Sequence, residues 1–390
     1  MSTPPRGRPW WVVAIVVSVV AIGTGLLPRA DAVALAERTG PVLLFVAALT
    51  VVSELCAGAG LFTAAADVAA RAARGHRWAL WAGVVVLAIV VTAVLSLDTT
   101  AVLLTPVVIA LARHTRTSPL PFALAVAALA NTASLVLPVS NLTNLLADHE
   151  IRRSGTGYLA LMWAPALAAV VVTVVVLAVR DRAAIRGRYA LVAAPPAPDP
   201  VLLRVTGLVV GAMAVAFVAG VTPALAAGAA GVLLLGLTLA RRRPLPVAPG
   251  DMVPWRTLIV VAGLFVLVAT AHAHGMAEVL HRAAGDGHGP LDLLRLAAVG
   301  ALAANAVNNL PAFLALDPAT AGDPLRIAAL LIGTGVAPIL TPWGSLATVL
   351  WWQRCRQVLL DVPTRTIVRQ GLVLAPLALV AAVAALVATT

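Results

Sequence analysis

Long apolar runs alternate with short polar stretches along almost the whole chain. Runs of roughly 20 apolar residues, the length that crosses a bilayer as a helix, begin at Trp10 and recur to a last span at 367–387. We expect about 10–11 such membrane segments. The connections between them are too short to hold a soluble catalytic domain. The pattern therefore predicts an all-α polytopic membrane protein with a single transmembrane domain over residues 1–390.

One predicted membrane segment, 131–147 (NTASLVLPVSNLTNLLA), carries too many hydrogen-bonding side chains for a lipid-facing helix. Pro138 in its middle removes a backbone donor and obstructs the helix around it. Irregular backbone at membrane depth persists only where it lines a protein cavity or a water path. The segment therefore predicts a broken helix at a binding site. Its candidate binding residues are Thr132, Ser134, Ser140, Asn141 and Thr143.

A second segment, 333–351 (GTGVAPILTPWGSLATVLW), repeats this design in the other half of the chain. When Pro138 is aligned with Pro342, the Ser-Asn pair at 140–141 falls against the Gly-Ser pair at 344–345. Interrupted spans at corresponding places in two halves are typical of transporter binding sites. The candidate binding residues of this second broken helix are Thr341, Gly344 and Ser345.

Two more polar breaks predict re-entrant hairpins, in which the chain enters the membrane and returns to the same face. The first hairpin, 78–113, has SLDTT (96–100) at its tip, and the second, 293–316, has NAVNNLP (305–311). Arginines flank the first hairpin and aspartates flank the second, so we expect them to enter from opposite faces. Their candidate binding residues are Asp98, Thr99, Thr100, Asn305, Asn308 and Asn309.

The composition agrees with a membrane protein and excludes several other classes. Charged residues make up 11% of the chain, against 61% hydrophobic residues, whereas soluble domains average about 25% charged. All 27 basic residues are Arg, and a chain without Lys cannot hold an ordinary P-loop ATP site. The arginines lie at span ends, which argues against a nucleic-acid-binding patch. Two distant cysteines, Cys56 and Cys355, give neither a disulfide framework nor a CxxC metal site.

The arginine distribution predicts the orientation of the chain. Placing the N-terminus in the cytoplasm puts 20 arginines inside and 7 outside, as the positive-inside rule requires. We therefore expect a multi-pass protein of the cell inner (plasma) membrane. This topology gives opposite orientations to two repeat units, about 41–180 and 255–390, which is the inverted-repeat design of secondary transporters. A cytoplasmic linker, about 180–200, joins the two halves.

Four motifs in a fixed order give the chain a resemblance to a known family. They are Asp98-Thr99-Thr100 with Leu103-Leu104-Thr105-Pro106, Thr132-Ala133-Ser134-Leu135 with Val139-Ser140-Asn141-Leu142, Asn308-Asn309-Leu310-Pro311, and Thr341-Pro342 with Gly344-Ser345-Leu346-Ala347-Thr348. With them the chain resembles the ArsB-type arsenite efflux permeases, in the wider ion transporter superfamily that includes sodium-coupled dicarboxylate and citrate carriers. It departs from them at Leu97, often Asn in such permeases, and at Asn131, where Asp is commoner.

The resemblance implies a secondary active transporter that exports arsenite or antimonite in exchange for protons and gives arsenical resistance. The alternative is a sodium- or proton-coupled carrier of carboxylates or inorganic anions. The expected partners are a small inorganic or organic solute, H⁺ or Na⁺, and membrane lipid, with or without a separate ArsA-type ATPase. No cofactor and no nucleic acid is expected, and a homodimer is one candidate oligomeric state. The sequence has no HExxH motif and no evident nucleophile with its base, which argues against an embedded hydrolase.

Two roles are open for most of the candidate residues. A half-helix that begins at mid-membrane points unpaired N–H groups into a cavity, where a polar solute can bind; alternatively, Ser140, Asn141 and Ser345 merely cap such helices. The asparagines of the second hairpin tip either bind solute or ion, or satisfy the backbone of the turn. Asp98 either carries the coupling proton or caps the helix over the two following threonines, and these roles can coexist.

Two other groups of charged residues have an open interpretation. A short loop from Arg29 to Arg38 is expected before the second span, about 41–61, which carries Glu54 near its middle. Glu54 is the second candidate for proton coupling, and the alternatives are a structural partner or a position nearer the membrane interface. His274, Glu278 and His281 share a helical face in a metal-like pattern, but they lie at the end of a span. We interpret them as an interfacial turn and expect no metal site.

Overall fold

A computed structural model describes residues 10–190 and 199–390 as a bundle of helices. The first half contains α1 (Trp10–Gly23), α2 (Arg29–Gly58), α3 (Leu61–Ala72), α4 (Arg77–Leu95), α5 (Leu97–Thr99), α6 (Thr105–His114), α7 (Pro119–Thr132), α8 (Leu142–Arg153) and α9 (Tyr158–Arg180). The second half contains α10 (Pro200–Val218), α11 (Pro223–Ala240), α12 (Trp255–Ala273), α13 (Met276–Ala284), α14 (Pro290–Val307), α15 (Asn309–Leu316), α16 (Pro324–Val336), α17 (Leu346–Gln357) and α18 (Thr364–Thr389). A π-helical turn, Thr100–Leu104, joins α5 to α6.

Ten helical segments within the described ranges are long and apolar enough to cross a membrane. Helices are the form that such apolar runs take in lipid, because a helix satisfies its backbone hydrogen bonds within the segment. The predicted all-α polytopic membrane fold is therefore confirmed.

The second helix is longer than the sequence predicts. The prediction of a loop before the second span is wrong, because α2 is helical from Arg29 onward and contains Pro41. Its 30 residues give a length of about 45 Å, against a hydrocarbon core of about 30 Å. A helix of this length extends beyond the core, so its first turns can carry charged side chains. Glu54 consequently lies one turn from the end of α2 and not near the middle of a span.

Each hairpin begins and ends beside one short amphipathic helix. α3 packs against α4 and α6, which are the two arms of the first hairpin, and α13 packs against α14 and α15, the arms of the second. Each hairpin therefore returns to the end of the bundle where it started, as predicted for a re-entrant segment. We call these two ends of the bundle the α3 end and the α13 end.

The two hairpins enter from opposite ends, which are separated by the length of α2. The first turns of α2 reach the base of the second hairpin, where Arg38 Nη2 lies 2.8 Å from Asp317 Oδ2. The last residue of α2, Gly58, is followed almost directly by α3.

Polar contacts fix the base of the second hairpin. Arg326, at the start of α16, is 2% exposed. Its guanidinium donates hydrogen bonds to the carbonyl oxygens of Gly287 (2.6 Å), Gly285 and Ala319 (2.9 Å). One buried side chain thus ties the chain before the hairpin to the chain after it.

The linker holds the base of the first hairpin in a comparable way. Tyr189 donates its hydroxyl to the carbonyl of Ala70 at 2.6 Å and its backbone N–H to the carbonyl of Gly75 at 2.8 Å. Residues 181–190 of the predicted linker lead into this contact at the turn between α3 and α4. The remaining part, 191–198, lies outside the described residues.

The two broken helices form the centre of the bundle. Residues 121–132 of α7 and 326–336 of α16 are buried throughout. Their small side chains allow very close packing, since a Cβ atom on Gly333 would lie 2.1 Å from the carbonyl oxygen of Ala297 on α14. The irregular backbone that follows each of these helices is therefore held in the interior of the protein.

Candidate functional site

The tips of the two hairpins share one backbone geometry. Ser96, between α4 and α5, has φ 90° and ψ 160°, and Asn308, between α14 and α15, has φ 92° and ψ 153°. Positive φ is uncommon for residues other than glycine, so its occurrence at both tips indicates a repeated design. The Ser96 hydroxyl accepts a hydrogen bond from Thr99 N at 3.4 Å and so stabilises the first turn.

Both broken helices restart with an extended residue that caps the helix after it. Asn141 (φ −147°, ψ 142°) accepts a hydrogen bond at Oδ1 from Thr143 N (3.3 Å) at the start of α8. Ser345 (φ −137°, ψ 152°) accepts one at Oγ from Thr348 N (3.2 Å) at the start of α17. The predicted helix starts are therefore present, and the predicted residues cap them. The positive ends of both helix dipoles face the breaks.

The first hairpin tip meets both broken helices. α5 packs against α7 and α17, which brings the segment containing Asp98 against both broken helices. Asn131 Nδ2, at the end of α7, donates to Thr348 Oγ1 on α17 at 3.3 Å. The hydroxyls of the tip are bonded to the helices behind it, Thr99 to Ser53 of α2 and Thr100 to Thr92 of α4, both at 2.9 Å.

Asn305 attaches the second hairpin to the second broken helix. Its Nδ2 donates to the carbonyls of Ala301 and Ala337, both at 2.9 Å. Its Oδ1 accepts from the N–H and the hydroxyl of Thr341, both at 3.0 Å, and its backbone oxygen accepts from Trp343 Nε1 at 2.8 Å. Of the two roles left open for this residue, the geometry therefore provides the one that satisfies backbone groups.

Two further contacts complete this junction. Asn308 Nδ2 donates to the carbonyl of Trp343 at 3.1 Å, and Asn309 N donates to the carbonyl of Gly344 at 2.9 Å. α8 packs against α15 and α16. The second hairpin tip thus meets the second break and the helix that Asn141 caps.

Gly344 allows the close approach of these segments. A Cβ atom at this position would lie 2.5 Å from the carbonyl oxygen of Pro338 and 2.8 Å from Asn305 Oδ1. Both distances are shorter than any ordinary carbon–oxygen contact, so a side chain here would displace the Asn305 amide.

Several buried polar atoms beside the tips and breaks have no hydrogen-bond partner among the described residues. They are Asp98 Oδ1, Thr105 Oγ1, Asn131 Oδ1 and Asn141 Nδ2. Buried polar atoms are almost always paired, and one left unpaired costs about 1–3 kcal/mol. Two of these groups, the Asn141 amide nitrogen and the Thr105 hydroxyl, can donate hydrogen bonds and the others accept them. The set can therefore hydrogen-bond a small polar solute, and the carboxylate can bind a proton.

Some predicted residues use their side chains within the fold. Thr132 donates to the carbonyl of Ala128 and accepts from Thr173 on α9, both at 3.1 Å. Ser134 donates to the carbonyl of Asn131 at 2.7 Å. Ser140 joins the first break to α4 by donating to the carbonyl of Ala93 at 3.0 Å, and Thr143 donates to Asn144 Oδ1 at 3.5 Å.

Glu54 lies apart from the hairpin tips, near the α3 end. Arg354 of α17 is close enough to interact with its charge. Its place one turn from the end of α2 matches the alternative of a position nearer the membrane interface.

The profile of the citrate transporter family (CitMHS) matches residues 5–348. The chain belongs to this family. Curated relatives carry the name arsenical pump membrane protein. One from Escherichia coli is 27% identical over 387 residues, covering 92% of this chain and 88% of the relative. That of E. coli strain K12 is 29% identical over 364 residues (86% and 83%), and that of Yersinia enterocolitica is 29% identical over 335 residues (78% and 76%).

The fold also resembles a solved structure. The YdaH transporter of Alcanivorax borkumensis, described as having an unusual topology, superposes with a TM-score of 0.62 at 15% identity, over 97% of this chain and 98% of that one. The resemblance to ArsB-type permeases within the ion transporter superfamily is thereby confirmed. This member of the citrate transporter family is a multi-pass membrane transporter and not an enzyme.

Sequence reasoning gave no binding role to three residues that organise this transporter's breaks. Asn131 and Thr348 join the two broken helices, and Asn144 Nδ2 donates to the carbonyl of Ser134 at 2.6 Å, which holds the bent backbone in place. In the sequence, Asn131 stands out only as a departure from the family pattern. Asn144 could have been singled out from the sequence, because it is a polar residue within an apolar span. No sequence feature indicates that Asn131 pairs with Thr348.

A cavity of about 710 Å³ leads from the α13 end of the transporter to the first break. Its walls are the first turns of α2, the length of α8 and the turn between α10 and α11. Pro138 and Val139, directly before the Ser140–Asn141 helix start, belong to its lining. The first break is therefore accessible from this end.

Proposed function

We propose that this transporter exports arsenite or antimonite in exchange for protons. The observation that carries the proposal is a set of buried atoms of Asp98, Asn131 and Asn141 beside two capped helix starts, which have no hydrogen-bond partner in the described part of the chain. The similarity to relatives named arsenical pump membrane proteins supports the choice of solute.

The charge of the candidate site favours a neutral solute. The two tips and two breaks, residues 96–106, 131–147, 305–311 and 337–348, contain a single ionisable side chain, that of Asp98. A di- or tricarboxylate would bring several negative charges to a depth where each needs a cationic partner. Arsenous acid is uncharged near neutral pH, and its hydroxyl groups both donate and accept hydrogen bonds. Amide groups and helix N-termini suffice to bind it.

We assign the coupling proton to Asp98. One oxygen of its carboxylate is buried without a hydrogen-bond partner among residues 10–190 and 199–390, and a carboxylate at membrane depth is stable only when it is paired, hydrated or protonated. Proton binding from one face and solute binding from the other can therefore alternate at the same hairpin tip. Glu54 is assigned a structural role with Arg354.

For the membrane arrangement, we propose the plasma membrane with the N-terminus and the α3 end in the cytoplasm. The division of 20 arginines against 7 supports this orientation. The matched tips at Ser96 and Asn308 and the matched caps at Asn141 and Ser345 support two repeat units, about 41–180 and 255–390, of opposite orientation. The linker, about 180–200, then lies on the cytoplasmic side.

A second candidate function is a sodium- or proton-coupled carrier of carboxylates or inorganic anions. The match to a family described as citrate transporter favours it. The positive dipole ends at Asn141 and Ser345 are compatible with an anion, and Na⁺ would then supply the missing positive charge.

Transport by purified protein in proteoliposomes separates these candidates. We expect arsenite and antimonite to move with an imposed proton gradient at equal sodium on both sides, and citrate not to compete. Sodium-driven citrate uptake without arsenite movement would support the carboxylate carrier.

Because the proteoliposomes contain no ATPase, the same assay distinguishes a protein that works alone from one that needs an ArsA-type partner. The oligomeric state, with a homodimer as one candidate, can be measured on the same preparation.

A further inference from the structure

Arg38 on α2 joins two segments that are distant in sequence. Its Nη2 atom lies 2.8 Å from Asp317 Oδ2, just after the second hairpin. The same atom lies 3.8 Å from Glu150 Oε1, near the end of α8. A single guanidinium therefore bridges α2 to the base of one hairpin and to the first broken helix.

The carboxylates of this bridge are largely withdrawn from solvent. The side chain of Asp317 is 13% exposed and that of Glu150 is 20% exposed. Burial raises the pKa of Asp317 above its ordinary value, while Arg38 opposes this rise and Glu150 adds to it. His272, at the end of α12, also faces Asp317 and lowers its pKa. Glu150 also pairs with Arg153 at 3.1 Å, so loss of the Arg38 guanidinium would chiefly leave Asp317 beside a second carboxylate without its 2.8 Å cationic partner.

The bridge lies where two groups of helices meet. α2 packs along α11 and α12, whereas α8, α15 and α16 pack against one another. The second group contains the helix capped by Asn141 and one arm of the second hairpin. A change in the Arg38 contacts would therefore alter how the candidate site sits against α2.

Arg38 and Glu150 also line the cavity that reaches the first break. Two of its lining residues, Pro138 and Val139, directly precede the Ser140–Asn141 helix start. The ion pairs are therefore part of the wall of a route that extends from the α13 end to Pro138 and Val139 of the first break.

We propose that Arg38 is a positioning residue that holds this route open by bridging Asp317 and Glu150. The inference rests on the proposed transport function, because a route to the break matters only if a solute passes along it. Loss of the bridge shifts the population toward conformations in which the route is closed.

Thiol labelling in nanodiscs tests this inference without any transported solute. In a background lacking the native thiols (Cys56→Ala, Cys355→Ala), Leu145→Cys places a thiol on the α8 wall of the cavity. We expect Arg38→Gln to lower its rate of reaction with a polar maleimide by about five-fold or more, and Arg38→Lys to retain most of the rate. Thr222→Cys, at the exposed rim between α10 and α11, should react equally in all variants. Arg29→Gln removes a charge from the exposed start of the same helix and should change neither rate.

A charge exchange provides the decisive comparison. Arg38→Glu alone should lower the Leu145→Cys reaction rate, and adding Asp317→Arg should restore it. An Arg38→Gln variant that reacts like the parent, or an exchange that restores nothing, would overturn the inference. Labelling requires no solute, so its result is independent of the arsenite transport assay. If the labelling rates change as expected but the protein does not move arsenite, the role of Arg38 is supported and arsenite export is contradicted.

Discussion

Asn131 donates a hydrogen bond from Nδ2 to Thr348 Oγ1 at 3.3 Å and so joins the two broken helices, 217 positions apart in the chain. Thr348 is in turn 3.0 Å from the hydroxyl of Ser345, the cap of α17. The second amide atom of Asn131, Oδ1, is buried without a partner among the described residues. The side chain therefore holds the two broken helices together and keeps one buried acceptor available for a hydrogen bond.

Replacing Asn131 by Ala should lower the rate of arsenite transport by about ten-fold, because a buried hydrogen bond worth roughly 0.5–1.5 kcal/mol is lost at the junction of the two broken helices. The measurement is the initial uptake rate in everted vesicles, normalised to the amount of inserted protein. Thr173→Ala is the matched control, since it removes a buried hydroxyl whose bonds lie between α7 and α9. Equal losses in the two variants would mean that Asn131 has no special part in transport.

The two helix caps give a second prediction. Asn141→Ala and Ser345→Ala should abolish transport, because each removes a polar side chain from the start of a half-helix that faces the break. The lost cap costs only about 1 kcal/mol of stability, so insertion and elution on size exclusion should be unchanged. Ser18→Ala on α1, which removes a hydroxyl bonded within its own helix, should transport normally. Wild-type flux in either cap variant would argue against a site at the breaks.

Asp98 should determine the dependence of flux on protons. Asp98→Asn keeps the size of the side chain but cannot exchange a proton, so we expect transport to stop or to continue without response to the proton gradient. The measurement is the arsenite uptake rate with and without an imposed gradient. Asp67→Asn, which alters a carboxylate paired with Arg71 on the interfacial helix α3, should retain the wild-type response. An Asp98→Asn protein whose uptake responds to the proton gradient as the wild type does would show that Asp98 has no coupling role.

Gly344 should not tolerate even one methyl group. In Gly344→Ala the added Cβ atom would meet Pro338 O and Asn305 Oδ1, which would displace the Asn305 amide from Thr341. We expect strongly reduced transport and a lower melting temperature of the purified protein. Gly228→Ala, on α11, has nothing within 4 Å of the new Cβ atom and should leave both unchanged. Normal transport by Gly344→Ala would show that the junction can relax around the methyl group.

Much of this architecture could be predicted from the sequence, because membrane burial is a strong constraint. Pro138 and Pro342 within apolar runs mark both breaks, and the polar tips containing Asp98 and Asn308 mark both hairpins. In lipid, polar groups of this kind must be buried in protein, so their positions indicate the interior of the bundle.

The sequence could not show which polar residue faces the site and which one supports the fold. Thr132 and Asn131 are neighbours in one motif, yet Thr132 bonds Thr173 on α9 while Asn131 reaches Thr348 on α17. That difference depends on the rotation of α7 within the bundle, which packing against distant helices determines. The start of α2 was mispredicted for a related reason, since Arg38 is stabilised there by Asp317, a partner that no local pattern reveals.

The measurement that tests the central claim most directly is arsenite accumulation in everted vesicles that contain this protein, with and without an imposed proton gradient. Arsenite export in exchange for protons predicts accumulation that depends on the gradient, stops when a protonophore is added, and is absent with Asn141→Ala. Vesicles that accumulate no arsenite, yet take up a carboxylate when sodium is supplied, would contradict it and establish the carboxylate carrier in its place.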